Sequence, residues 1–315
     1  MVEKTEKATR DAFGEVFLEM GGRYQNVVAV SCDLASATRT KAFGEAFPDR
    51  FFEVGIAEQN AISISAGLAL SGFRPFVSSF GAFITARYDQ IRVSCAYNDA
   101  GVVIVGTHSG LAIGKDGATQ MGIEDINLMA GIPGMQIFQA ADELEARQIV
   151  EYLAGSDKLS YLRLSRTPQE TVLPKDYIFE FNKMHVLREG AGVALLATGD
   201  TVLSAMGSAS ILDKEGVRVT VVNVSTLKPI DRESIKSLGG AHDLFVTIED
   251  HSIVGGLGSR VAEVVAEEGL SARVERVGIP DCFGESGSPA DLYKKYGLDA
   301  AGIASRVREK ARARI

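Results

Sequence analysis

Apolar and polar positions follow two rhythms along this chain. Compact apolar runs closed by turn residues read as buried strands: NVVAVSCDL (26–34), FFEVG (51–55), GFRPFVSSF (72–80), GVVIVGTH (101–108) and SYLRLS (160–165). Between them, apolar residues spaced for one helix face predict helices over 4–20, about 58–71, about 82–98, 124–130 and along DELEARQIVEYLAG, with one more strand near 135–138. Ser109 to Gly122 reads as a long glycine-rich loop. Strands alternating with helices predict an α/β layer with a mostly parallel sheet.

The rhythm stops at RTPQETVLPKDYIFEFNKMHVLREG (166–190), which holds two prolines. It then restarts with the strands GVALLATG, VRVTVVNVS, DLFVTIED and ARVERVGI, separated by helices from Thr201, near Arg232 and from Gly258, and followed by a helical end. The fold class expected is therefore α/β, as two consecutive domains over 1–168 and 191–315 joined by a linker over 169–190. A length of 315 residues suits two domains of ordinary size.

Composition narrows the function classes. A net charge of −8 gives no general attraction for nucleic acid, and the basic tail RVREKARARI reads as the solvated end of a helix. No window approaches 18 uninterrupted apolar residues, and MVEKTEKATRDAFGEVF lacks the apolar core of a signal peptide. No membrane partner is expected, and the cytoplasm is the expected location. Three scattered cysteines without a C-x-x-C pair argue against a disulfide framework and a zinc site, so no metal ligands are assigned in this chain.

Two glycine-rich loops fail as nucleotide sites. GGLGSR (255–260) has Val261 where G-x-G-x-x-G needs its last glycine, although the helix start beside it could hold an anion. GLAIGKDG (110–117) lacks both the spacing and the hydroxyl of a P-loop. Other residues have plain readings when taken singly. Glu58 suits the first turn of a helix, where the dipole favours a carboxylate by about 0.3–1 kcal/mol. Phe80 and Phe83 fit core positions at helical spacing, His108 a satisfied strand-end histidine, and Arg166 a surface or interdomain arginine.

Their order along the chain says more. GIAEQN (55–60), SSFGAFITARYDQIR (78–92), GTHSGLAIGKDGATQ (106–120) and RLSR (163–166) together resemble the transketolase family. They match its pyrimidine-binding domain, and the residues after about 190 resemble its C-terminal domain. The family's diphosphate-and-magnesium domain carries G-D-G followed some 25–30 residues later by Asn, and no string here has that setting. The resemblance therefore implies the C-terminal subunit of a split transketolase, a heterotetramer built on a dimer of this chain. An N-terminal partner subunit would hold the diphosphate and Mg²⁺.

The resemblance also implies roles. The cofactor would be thiamine diphosphate, with Glu58 catalytic through a hydrogen bond to the pyrimidine nitrogen and Phe80 and Phe83 as the wall on which that ring stacks. Ile56, Ala61 and Ile62 would surround Glu58. The small residues Ala61, Ser63, Ser65, Ala66 and Gly67 would let the helix approach a partner. His108 would contact a sugar hydroxyl or the anionic end, Asp116 a hydroxyl next to the scissile bond, and Arg166 the distal phosphate. Ser31 would touch substrate or cofactor.

One loop departs from the family. GKDGATQM stands where G-E-D-G-x-T-H-Q is usual, so Lys115 replaces an acid and Gln120 an active-site histidine. Glutamine hydrogen-bonds but exchanges no proton, so either the lost histidine mainly positions the donor's hydroxyls or the enzyme handles an unusual anionic substrate, such as a sulfonated sugar. The expected reaction moves a two-carbon ketol unit from a ketose to an aldose. Alternatives stay open. The β subunit of a 2-oxo acid dehydrogenase has similar length but needs no polyol-and-anion set such as His108, Asp116 and Arg166. 1-Deoxyxylulose-5-phosphate synthase shares the AEQ motif but carries its domains in one chain. A non-catalytic scaffold subunit fits Gln120 and conflicts with Glu58, Phe80 and Phe83.

Overall fold

Seven strands form the larger sheet of the computed structural model, which describes residues 6–312. From edge to edge they are Thr226–Lys228, Gln136–Gln139, Ser160–Arg163, Val103–Thr107, Arg74–Phe80, Val27–Ser31 and Phe51–Glu53. The last six are parallel, and Thr226–Lys228 pairs antiparallel at the edge. Val103–Thr107 is buried along its whole length, because helices cover both faces of a parallel sheet. Thr9–Arg23 and Glu143–Ala154 pack one face through Phe13, Phe17, Ile149 and Leu153; Glu58–Leu70 packs the other through Ala61 and Ile62.

The second sheet runs Arg273–Ile279, His242–Ser252, Gly192–Ala197, Thr220–Asn223 and His185–Arg188, with only the last strand antiparallel. Helices Thr201–Asp213, Leu257–Glu267 and Ala300–Arg312 flank it. The chain thus has the α/β, parallel-sheet architecture that the alternation predicts.

Several elements differ from expectation. The first helix spans Thr9–Arg23, and Glu6–Lys7 ahead of it pairs antiparallel with Gln169–Glu170. The start of the helix expected from residue 4 and the last residues of the basic tail lie outside the described residues. The stretch 166–190 contributes that short strand and His185–Arg188 of the second sheet. The helix expected over 82–98 is interrupted: Gly81–Thr85, then Tyr88–Gln90, then a wider π turn over Ile91–Ala96. Thr85 Oγ1 donates back to Gly81 O at 2.7 Å, and Arg87 leaves the helical region at ψ 40°, which ends the first turn.

A buried charge cluster ties the two sheets. Arg163, at the end of a first-sheet strand, donates from Nε to Asp125 Oδ2 (2.8 Å) and from Nη1 to Asp250 Oδ1 (2.6 Å) on the second sheet. Its Nη2 reaches the carbonyls of Gly122 and Asp250, and Tyr161 and Tyr293 donate to the same two carboxylates. Gly110, at φ 66°, opens the loop that passes over Asp250; a side chain there would collide with that carboxylate.

Candidate functional site

Parallel strands end on one edge of their sheet, and ligands of such sheets bind there. Four neighbouring strands deliver the expected residues to that edge. Ser31 ends Val27–Ser31, Phe80 ends Arg74–Phe80, His108 follows Val103–Thr107, and Arg166 lies just beyond Ser160–Arg163. Glu58 opens the helix after Phe51–Glu53.

Glu58 is 5% exposed, and it is turned toward the sheet. Ser79 Oγ, on the adjoining strand, donates to its Oε1 at 3.0 Å. No described residue hydrogen-bonds Oε2, so one carboxyl oxygen is anchored and the other is open. Beside it Phe80 and Phe83 stack at 5.4 Å with 17° between their planes, and both rings are half-buried. An anchored carboxyl with one open oxygen beside a partly bare aromatic wall suits a flat heteroaromatic ring carrying a protonatable nitrogen. The surroundings expected of Glu58 need one correction. Ala61 and Ile62 are buried, but Ile56 is 83% exposed because it sits in the loop before the helix. Of the small residues on that helix, Ala61, Ser65 and Ala66 face the chain's own core, while Ser63 and Gly67 are exposed.

His108 packs its ring on Phe80 at 3.9 Å and has a left-handed backbone, φ 56°, unusual for a residue with a side chain. Burial, then the nearby charges of Arg10, Arg166 and Arg39, push its pKa down to about 3, so the ring is neutral at physiological pH. Its Nδ1 lies 2.9 Å from Thr107 Oγ1 and its Nε2 2.7 Å from Arg10 Nη1. Arg10 lies inside the first helix. No local signal marks it, since its partner is 98 residues away.

Arg166 and Asp116 meet each other: Nη1 donates to Oδ2 at 3.2 Å, with about two-fifths of each side chain exposed (38% and 41%). Such a pair is worth about 0–1 kcal/mol, so a competing anion separates it at little cost. Gln120 is half-buried at the end of the short turn Ala118–Gln120, and Lys115 is exposed. Ser31 is fully buried, in register with Glu53 of the edge strand. The anion option at GGLGSR is closed from within. Glu249 accepts from the N–H groups of Leu257 (2.7 Å) and Gly258 (2.9 Å), and a side chain at Gly256 would strike its carboxylate.

Residues 5–169 match the transketolase pyrimidine-binding domain, and residues 182–303 match the transketolase C-terminal domain. The chain belongs to the transketolase family. Its pyrimidine-binding domain places it among thiamine-diphosphate-dependent proteins. A Methanocaldococcus jannaschii protein, provisionally named a transketolase C-terminal section, is 40% identical over 307 residues, covering 96% of each chain. The 6-deoxy-6-sulfo-D-fructose transketolase subunit of Clostridium sp. strain MSTE9 is 36% identical, covering 98% of this chain and 96% of its own. A solved structure described as a split-gene transketolase, inactive beta4 tetramer, superimposes with a TM-score of 0.87 at 38% identity, covering 96% of this chain and 97% of that one.

Proposed function

We propose that this chain is the pyrimidine-holding subunit of a two-chain transketolase, which moves a two-carbon ketol unit from an anionic ketose to an aldose. The observation that carries this reading is the Glu58 carboxyl, anchored by Ser79 on one oxygen and open on the other, beside the Phe80–Phe83 wall. Thiamine diphosphate would supply the electron sink for cleaving and remaking the carbon–carbon bond. This chain's part is to hold a proton at Glu58 against the pyrimidine nitrogen, to stack the ring on Phe80 and Phe83, and to receive sugar at the neighbouring strand ends. His108 and Asp116 address hydroxyls, Arg166 the anion, and Gln120 lines the approach, with Ser31 buried beneath the same strand ends. Diphosphate and Mg²⁺ belong to an N-terminal partner chain. The outward face of Glu58–Leu70 and the π turn packed against it leave Leu70, Val93 and Tyr97 exposed, a surface suited to such a partner. That the relative's beta4 tetramer is described as inactive supports the need for a second chain, which a heterotetramer built on a dimer of this chain would supply.

A second reading, 1-deoxyxylulose-5-phosphate synthesis from pyruvate, draws on relatives of that name at 34–36% identity, of which this chain spans about half (46–48%). One assay separates the two. The chain, mixed with its partner, thiamine diphosphate and Mg²⁺, is given ketose–aldose pairs, phosphorylated and sulfonated, or pyruvate with an aldose phosphate. Ketol transfer without pyruvate consumption is the expected result. Pyruvate decarboxylation alone would replace the proposal with the second reading.

A further inference from the structure

The loop that carries Lys115, Asp116 and Gln120 leaves the first sheet, yet its apolar side chains are sunk in the C-terminal domain. Leu111, Ile113 and Met121 are buried in one cluster with Val246, Ile248 and Ile279 of the second sheet and Leu292 of the helix Pro289–Lys295. Its polar side chains stay outside: Lys115 and Asp116 are exposed and Gln120 is half-buried. One domain therefore anchors the loop from behind, and Asp116 reaches back to the other through Arg166.

Residues 284–289 of the C-terminal domain meet the loop at three points. Gly114 (φ 67°) and Gly117 (φ 83°) are left-handed turns on either side of Lys115 and Asp116. A side chain at Gly114 would meet Gly287 O and Pro289 Cδ at 3.2 Å, and one at Gly117 would meet Ser286 Oγ at 2.5 Å. The third point is Met121, the neighbour of Gln120: a methyl group on Gly284 would overlap its Sδ. Gly284 lies outside the left-handed region, so its lack of a side chain answers to that sulfur and not to backbone conformation. The loop's own turn bonds are long: Gly117 N to Gly114 O at 3.3 Å, Gln120 N to Gly117 O at 3.1 Å and Met121 N to Ala118 O at 3.3 Å. Its shape depends on what it leans on.

We propose that the C-terminal domain sets sugar specificity by seating the loop of Asp116 and Gln120 on residues 284–289. The seat fixes the two turns around Asp116 and the residue after Gln120, and so decides where both side chains stand relative to the strand ends. The inference rests on the reading of Asp116 and Gln120 as sugar contacts and assigns their placement to the other domain. Gly284 is a positioning residue, acting through Met121 and Gln120 rather than on sugar. A misplacement of about 1 Å in a substrate-positioning group costs on the order of 100-fold.

The test uses the chain assembled with its partner, thiamine diphosphate and Mg²⁺, with xylulose 5-phosphate as donor. Gly284→Ala should raise KM for the sugar by about 10-fold or more, with deuterium exchange at C2 of thiamine diphosphate unchanged. Adding Met121→Val, which takes the sulfur away, should restore KM. In the full chain alone, Gly284→Ala should speed backbone hydrogen exchange at Gly117, Gln120 and Met121 by about 10-fold and leave that of Glu58–Leu70 at the parent's rate. Ser286→Val, on an exposed residue, sets a stiff branched side chain against Gly117 and should act alike on both readouts. It decides if Gly284→Ala does not fold. An unmoved KM, a matching loss of C2 exchange, or no restoration by Met121→Val would each overturn the proposal. Unmoved hydrogen exchange would overturn it too and, since it involves no ketol transfer, would leave the functional reading standing. A normal exchange response in a complex without ketol transfer would sink that reading alone.

Discussion

Among the described residues the one hydrogen bond of the Arg166 side chain is the exposed pair with Asp116, just past the strand end where sugar would enter. Arg166→Ala should therefore raise KM for anionic sugars far more than for neutral ones. Loss of a charge-assisted hydrogen bond is worth about 1.5–3 kcal/mol, or roughly 10- to 150-fold. Steady-state comparison of a phosphorylated acceptor with glycolaldehyde checks it; equal losses would remove Arg166 from the anion site. Gln120 poses a different question, because the motif resemblance implies a histidine at this position and Lys115 in the same loop also departs from it. Gln120→His should lower kcat/KM with the native donor and raise it with an ordinary ketose phosphate, since the two side chains differ in length and donor pattern. Parallel changes for both substrates would show that the position does not set specificity.

At the scale of elements, the strand ends carry the site and the strand interiors carry the joint between the two sheets. Arg163→Met would leave Asp125 and Asp250 buried without their cation, and breaking a buried pair in this way costs about 3–5 kcal/mol. Denaturant unfolding should show that loss; a change below 1 kcal/mol would mean the cluster is not what holds the sheets together. The strands themselves were legible in the sequence, because each is a short apolar run closed by a turn. Glu58, Phe80, His108 and Arg166 were legible too, since each sits at or just past such an end and local motif order marks it. Arg10, Asp125, Arg163 and Asp250 were not. Their partners are 36–98 residues away, and nothing in the neighbouring residues distinguishes them from a helix surface or a strand end. The helix expected over 82–98 failed for a local reason: Thr85 competes for backbone hydrogen bonds, which a hydrophobic pattern does not register.

For the molecule as a whole, two buried neighbours couple folding to pH in opposite senses. Burial raises the Glu249 pKa to about 7 and lowers that of His251 to about 4. The folded chain holds a proton on Glu249 that the unfolded chain releases above about pH 4.5, so this term favours folding below pH 4.5 and is lost as pH rises through 7. His251 contributes above its unfolded value of 6.5 and loses that contribution as pH falls toward 4. Glu249→Gln should remove the first term only. Compared with the parent, the variant should become progressively less stable as pH falls from 7 to 4.5, by about 1.4 kcal/mol per pH unit. Unfolding curves at several pH values read this difference, and parallel profiles would contradict it. The larger claim also belongs to this scale, because the proposed site is completed by a second chain and must be tested in the assembled enzyme. The most direct measurement is the rate of deuterium exchange at C2 of thiamine diphosphate in the reconstituted complex, with Glu58 or Glu58→Gln. The amide cannot hold the proton that the carboxyl supplies, so exchange should slow by about 10²–10⁴-fold while the fold and assembly persist. Equal exchange rates would reduce Glu58 to a helix-start carboxylate and contradict the account.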